Sequence, residues 1–239
     1  MSDHAESKSA TVSLADEERV KEILVNSVLG LWDVVNNLTR LKPSRQDRYR
    51  VTIFGSARVQ PGSFGYEETR RVAAALAAMH CDIITGGGPG LMQAANEGAA
   101  AVNLSQSVGI RVDLPFEQEI NPFVTEAFEH RTFFTRLHQF ALASDAFVVA
   151  PGGIGTVLET MMIWQLLQVR HLVDTPLILV GNMWPGLVEW ARRSMLAADQ
   201  PLASDKDMDI PQCVANGDEA ISVLRRYHAS WATKHGTKG

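Results

Sequence analysis

The chain predicts an α/β fold, a Rossmann-like doubly wound parallel sheet carrying an N-terminal helical extension, and three observations lead there. From Val51 onward, short apolar runs at 51–55, 82–85, 107–112, 145–150 and 177–181 alternate with helical segments, the alternation of a sheet covered on both faces. The connections are too long for hairpins and suit right-handed crossovers between parallel strands. Three runs end in glycine-bearing turns: Phe54-Gly55-Ser56-Ala57-Arg58, Thr85-Gly86-Gly87-Gly88-Pro89-Gly90-Leu91-Met92, and Pro151 to Thr156. At the carboxyl edge of an open sheet, three such turns converge on one cleft.

The elements follow in order. Residues 14 to 42 read as one helix, with Leu24, Val28, Leu31, Val35 and Leu38 spaced alternately by four and three, Asp16, Glu17 and Glu18 at its start, and Pro43 marking its end. A charged linker, Ser44 to Arg50, leads into the body. The expected organisation is an extension and linker over 1–49 and a nucleotide-binding domain over 50–239. Spacing leaves open whether the first helix packs on the body or pairs with a second chain. A helix near 131 to 143 precedes the fourth strand and starts at the glycine edge, which brings Arg131 and Arg136 toward the cleft. The run from Val157 to Leu167 is apolar almost all round and predicts a helix buried on several sides, a subunit interface being one way to cover it.

Composition bounds the function. With 239 residues, 46% hydrophobic and 21% charged, the chain is an ordinary globular protein. A formal net charge of -5 and the lack of a long basic run argue against a nucleic-acid partner. The polar start, Met1 to Ala10, lacks the apolar core of a signal peptide, and the apolar runs are too short or too interrupted to span a membrane, so a cytoplasmic protein is expected. Cys81 and Cys213 form no C-x-x-C pair and read as buried small hydrophobes.

The chemistry concentrates in Val148-Val149-Ala150-Pro151-Gly152-Gly153-Ile154-Gly155-Thr156-Val157-Leu158-Glu159, an apolar strand, a glycine-rich turn and a helix with a carboxylate one turn inside. Glycines admit an anion close to the backbone, and the free amides and dipole of a helix start favour negative charge. A nucleotide phosphate is the natural ligand. Thr156-x-x-Glu159 also fits a capping box. From spacing alone, the plainer reading of Arg136 is a solvent-exposed helix charge. No lysine stands in a Schiff-base context, and neither His138 nor His171 belongs to a nucleophile-base pattern.

Gly86-Gly87-Gly88-Pro89-Gly90-Leu91-Met92 and Pro151-Gly152-Gly153-Ile154-Gly155-Thr156-Val157-Leu158-Glu159, together with Leu114-Pro115-Phe116-Glu117-Gln118-Glu119-Ile120-Asn121 and Phe133-Phe134-Thr135-Arg136, resemble the Lonely Guy (LOG) family, often labelled lysine decarboxylases. The resemblance covers roughly residues 50 to 227. It implies hydrolysis of the N-glycosidic bond of nucleoside 5'-monophosphates, AMP or cytokinin ribotides, to a free base and ribose 5-phosphate, without metal or organic cofactor. It places the catalytic pair at Arg136 and Glu159, with Gly152, Gly153, Gly155 and Thr156 as the phosphate loop. Gly55, Ser56, Gly87 and Gly88 are expected to complete the substrate-binding edge. A homodimer or larger homo-oligomer is the expected assembly. The chain has Leu137 where the family usually has lysine, and Leu158 where a second acid is common. The alternative is a nucleotide or molybdenum-cofactor carrier of similar fold that binds without turnover.

Overall fold

The computed structural model describes residues 13–38, 47–112, 120–197 and 199–236. The chain divides into two compact units, Met1–Pro43 and Ser44–Gly239. The first contains α1, Glu17–Leu38, whose start is anchored by the Asp16 carboxylate accepting from the Arg19 N–H at 3.2 Å. The predicted end at Pro43 lies outside the described residues.

The second unit is one seven-stranded sheet of order β4-β3-β2-β1-β5-β6-β7, with every neighbouring pair parallel. Its strands are β1 Arg50–Phe54, β2 Asp82–Thr85, β3 Ser107–Val112, β4 Glu126–His130, β5 Ala146–Val149, β6 Leu177–Val180 and β7 Pro211–Val214. The helices are α2 Phe64–Ala77, α3 Leu91–Val102, α4 Phe133–Ala143, α5 Ile154–Gln168, α6 Pro185–Leu196, α7 Asp205–Met208 and α8 Gly217–His235. The Rossmann-like prediction therefore stands. Strand order runs outward from β1 to β4, then returns to the other side of β1 and runs outward again through β5, β6 and β7. The topological switch point falls between β1 and β5.

The period of two in each central strand builds two cores. Val51 and Ile53 of β1, Ile83 of β2, Val148 of β5 and Ile178 of β6 face α2, α3 and α8, where Val72, Leu76, Ala95, Ala99 and Leu224 complete the cluster. The alternate positions Phe54, Ile84, Phe147, Val149 and Leu179 face the other layer, meeting Phe140 of α4, Ile163 and Trp164 of α5 and Met208 of α7. Phe54 stands edge-on to Phe140 at 5.0 Å and stacks with Phe147 at 5.9 Å. Such a buried ring is worth about 2–3 kcal/mol. This packing clamps β1 against β5 directly beneath the cleft.

The five predicted strands are present, and the sheet adds β4 and β7, which the apolar pattern does not reveal. Both are edges. β4 reads Glu126-Ala127-Phe128-Glu129-His130 and is exposed over its first four residues, so no buried face demands an apolar run, and the charges guard an open edge. β7 is a short Pro211-Gln212-Cys213-Val214. Its outer position also corrects the expectation for the cysteines: Cys81 is buried, whereas Cys213 is exposed.

Candidate active site at the carboxyl edge of the sheet

The three glycine-bearing turns do converge. Ser56 N–H donates to Pro151 O at 3.1 Å, and Leu91 N–H donates to Ser56 O at 2.9 Å, so the turn after β1 is a strut between the turns after β2 and β5. Gly55 has a packing reason of its own, since a Cβ there would come within 2.8 Å of the Leu91 Cβ. At Gly90, φ is +69° and a Cβ would lie 2.3 Å from Ser56 O, so the crossing of these two turns requires glycine.

α5 begins earlier than a capping box requires. Its N-cap is Gly153, which makes no side-chain cap hydrogen bond, and the first helical bond is Val157 N–H to Gly153 O at 3.0 Å. Thr156 therefore sits inside the first turn, and Glu159 lies beyond the reach of the N-cap amide, which removes the capping reading for both. The amides of Ile154, Gly155 and Thr156 precede the first helical bond and point out of the helix start with the positive end of its dipole. Gly152 is close-packed, because a Cβ would lie 2.5 Å from the Thr156 Cβ. Among the described residues nothing lies within 4 Å of where a Cβ of Gly153 or Gly155 would be, and neither has a positive φ. No contact with the described residues calls for glycine at these two positions.

Arg136 lies on α4, capped by Thr132, whose hydroxyl accepts from the Thr135 N–H at 3.2 Å. The expectation of a solvent-exposed helix charge is overturned: Arg136 is 8% exposed, whereas Arg131 is exposed. Arg136 is the first residue of α4 to turn inward over the sheet. Its Nε donates to Ile110 O at 2.9 Å, and its guanidinium carbon lies 5.4 Å from the centre of the Phe140 ring. Its Nη2 lies so close to Gly86 that a Cβ there would sit 2.4 Å from it. Gly86 thus makes room for the arginine.

Opposite, on α5, Glu159 Oε1 is 3.9 Å from Arg136 Nη2, and the two side chains are 13% and 10% exposed. At that separation the pair attracts without forming a close hydrogen bond, so both groups retain capacity toward a ligand. Burial pushes the Glu159 carboxyl up to about 7, with the Arg136 charge opposing the shift. A carboxyl poised there can change protonation near neutral pH, as general acid-base work demands.

Of the predicted residues, Ser56, Gly87, Gly88, Arg136, Glu159 and the turn from Gly152 to Thr156 come together at one edge. Leu114, Pro115, Glu117 and Gln118 lie outside the described residues. Leu137 is 8% exposed and Leu158 is 49% exposed, so a charge would be tolerated at 158 and would be buried at 137. Within the run from Val157 to Leu167 of α5, Thr160, Ile163 and Trp164 are buried, Val157, Met161, Met162, Leu166 and Leu167 pack half-buried against the same core, and Leu158 and Gln165 are exposed.

Residues that sequence reasoning gave no role are Gly86, Asn96 and Asn121. Their signal was present: Asn96 is a short polar residue among the alanines of α3, and Asn121 stands in the quoted motif without chemistry assigned to it.

The class that fold and site define is a Rossmann-like protein whose switch-point edge joins an anion-receptive helix start to a buried arginine-carboxylate pair. A family model described as possible lysine decarboxylase matches residues 92–224, more than half of the chain. The chain belongs to that family, the LOG family, which supports a nucleotide-related function. No curated protein sequence matches it. Among solved structures, the molybdenum cofactor carrier protein of Chlamydomonas reinhardtii is similar at 18% identity and a TM-score of 0.58, over 76% of this chain and 99% of that one. The molybdenum cofactor binding protein of the phototrophic bacterium Rippkaea orientalis is similar at 15% identity and a TM-score of 0.59, over 76% and 98%. DNA processing protein A of Helicobacter pylori, a single-stranded DNA binder, is similar at 16% identity and a TM-score of 0.50, over 80% and 84%. At these identities the likeness is one of fold. Among the described residues no helix is long and apolar enough to cross a membrane.

Proposed function

We propose that this chain is a nucleoside 5'-monophosphate phosphoribohydrolase, cleaving the N-glycosidic bond of AMP or a related ribotide to give the free base and ribose 5-phosphate. The observation that carries the reading is the buried Arg136–Glu159 pair standing beside an anion-receptive helix start whose two glycines, Gly153 and Gly155, have no packing reason. The phosphate binds at the amides of Ile154, Gly155 and Thr156. The bond from ribose C1' to the base nitrogen breaks with development of oxocarbenium character, which the Glu159 carboxylate stabilises. Water supplies the hydroxyl to C1' and a proton to the departing base. Arg136 orients the nucleotide through its terminal guanidinium N–H groups, a geometry suited to bidentate contacts. The domain over 50–239 carries this work.

Incubation of the purified chain with AMP and cytokinin ribotides tests the reading: free base and ribose 5-phosphate accumulate in equimolar amounts. Tight nucleotide or molybdenum-cofactor binding without product over long incubation favours the carrier alternative instead.

The assembly belongs to the same proposal. Phe133 and Phe134 on the first turn of α4 are 44% and 85% exposed, and Ile154 and Leu158 on α5 are 86% and 49% exposed. These apolar side chains flank both members of the pair and are covered by a second copy in a homodimer or larger homo-oligomer. Light scattering at micromolar concentration gives at least twice the monomer mass; a monomer overturns this part.

A further inference from the structure

Beneath the turn after β2 runs a chain of buried polar side chains that neither ligand binding nor the Arg136–Glu159 pair uses. Thr85, Asn96 and Ser107 are fully buried and Asn121 is 4% exposed. The two hydrogens of the Asn121 Nδ2 are shared among Gly87 O at 3.1 Å, Gly88 O at 3.0 Å and Asn96 Oδ1 at 2.9 Å. Its main-chain N–H adds a second bond to Gly87 O at 2.9 Å, and its Oδ1 accepts from the Phe123 N–H at 3.2 Å. Asn96 passes the connection on: its Oδ1 accepts from Thr85 Oγ1 at 2.7 Å and its Nδ2 donates to Ser107 Oγ at 2.9 Å. Thr85 Oγ1 in turn accepts from the Gly87 N–H at 2.9 Å. The orientation of the Asn121 amide is dictated, since the flipped group would set an oxygen against three oxygens.

Drawing these carbonyls inward has a consequence on the other side of the turn. In a trans peptide the N–H points opposite to the C=O, and none of the described peptides is cis. With Gly87 O held by Asn121, the Gly88 N–H faces away from the core. The next residue, Pro89, has no N–H to offer. The peptide geometry thus turns the Gly88 N–H outward, and Gly88 stands two residues from Gly86, against which the Arg136 guanidinium lies.

We infer that Asn121 is a positioning residue: it fixes the turn from Gly86 to Gly88 so that the Gly88 amide and the Arg136 guanidinium face a ligand in one geometry. Its effect on nucleotide binding rests on the proposed function; its hold on the turn does not.

The test uses three variants of the full chain. Asn121→Ala removes the donors, Asn121→Asp replaces them with acceptors of the same shape, and Ser107→Ala loosens the far end of the network while leaving Asn121 in place. Hydrogen exchange of ligand-free protein over residues 86–92 accelerates at least about tenfold in Asn121→Ala and not in Ser107→Ala. In the same pair, KM for AMP rises about tenfold in Asn121→Ala with kcat within about threefold, and stays unchanged in Ser107→Ala. The ratio of Asn121→Asp to wild-type kcat/KM climbs as pH falls, because a protonated carboxyl regains one donor. Unchanged exchange in Asn121→Ala, or an equal rise in Ser107→Ala, overturns the inference whatever the substrate proves to be. Should Asn121→Asp not fold, Asn121→Ala decides alone. A wild-type chain that neither binds nor cleaves AMP overturns the proposed function and leaves the exchange result to judge Asn121.

Discussion

The two glycine-rich turns after β2 and β5 look alike in sequence and are built for different ends. In the first, Gly86 admits the Arg136 guanidinium, Gly87 and Gly88 hang from Asn121, and Gly90 crosses Ser56 at backbone contact. In the second, Gly152 packs on Thr156, but Gly153 and Gly155 open onto free space at a helix start. The first turn is scaffold that aims an arginine. The second is surface kept bare, which is how a loop serves a ligand. Glycine content alone does not separate these roles; what a Cβ would touch does.

Breaking the scaffold turn has the largest expected effect. Gly90→Ala forces a side chain into a left-handed backbone and against Ser56 O, at a cost of at least about 3 kcal/mol from strain and overpacking together. Urea denaturation reads this as a lower midpoint, or the variant accumulates insoluble. A midpoint within error of wild type would mean that the two turns separate easily and that their crossing does not require glycine.

Next comes the chemistry that both turns serve. Glu159→Gln keeps the shape and loses the charge, so base release falls at least about a hundredfold while AMP binding is retained. Near-normal turnover would remove Glu159 from the mechanism. Because no cap depends on Glu159, stability should change through its titration alone.

That titration has a definite sign. The carboxyl moves from its ordinary 4.5 to about 7 in the folded chain, so between those values the folded state holds more protons than the unfolded one. The stabilisation is complete below pH 4.5, is lost as pH rises toward 7, and amounts to at most about 3 kcal/mol. Wild-type stability should thus fall between pH 5 and 8 by more than that of Glu159→Gln, measured by chemical denaturation. Base release should rise across the same interval as the carboxylate forms. Parallel stability profiles for the two proteins would place the carboxyl's titration elsewhere.

The smallest change in stability belongs to the bare turn. Gly153→Ala and Gly155→Ala meet no neighbour, so each shifts folding by less than about 1 kcal/mol, and the helical position 155 favours alanine. The added methyl enters the space over the loop and weakens AMP binding about tenfold, or about 1.4 kcal/mol. Unaltered affinity in calorimetry would assign the open glycines to no ligand.

How much of this was legible beforehand depends on whether a residue's role is local. The central strands announced themselves through apolar runs because each is buried on both faces, and the turns through glycines at strand ends. β4 and β7 carry no such signature, since an edge strand lacks the second covered side. Thr156-x-x-Glu159 misled as a capping box because the helix start depends on where the turn tightens, and Gly153 claims the N-cap. Arg136 read as a surface charge because helical spacing does not reveal which face the sheet will cover.

The sequence by itself determined the layering, the parallel crossovers and the meeting of three glycine turns at one edge, because these follow from periodicity and from connection lengths too great for hairpins. It also placed Arg136 and Glu159 near a common mouth through the motif they share with the LOG family. Only the tertiary structure decided that Arg136 is buried beneath Gly86 and that Glu159 is desolvated to a carboxyl near 7. It alone showed that Asn121 holds a turn more than thirty residues away from it in the chain. Those facts depend on which side chains from α3, α4 and α5 pack over β2 and β3, and burial, unlike periodicity, is a property of neighbours distant in sequence.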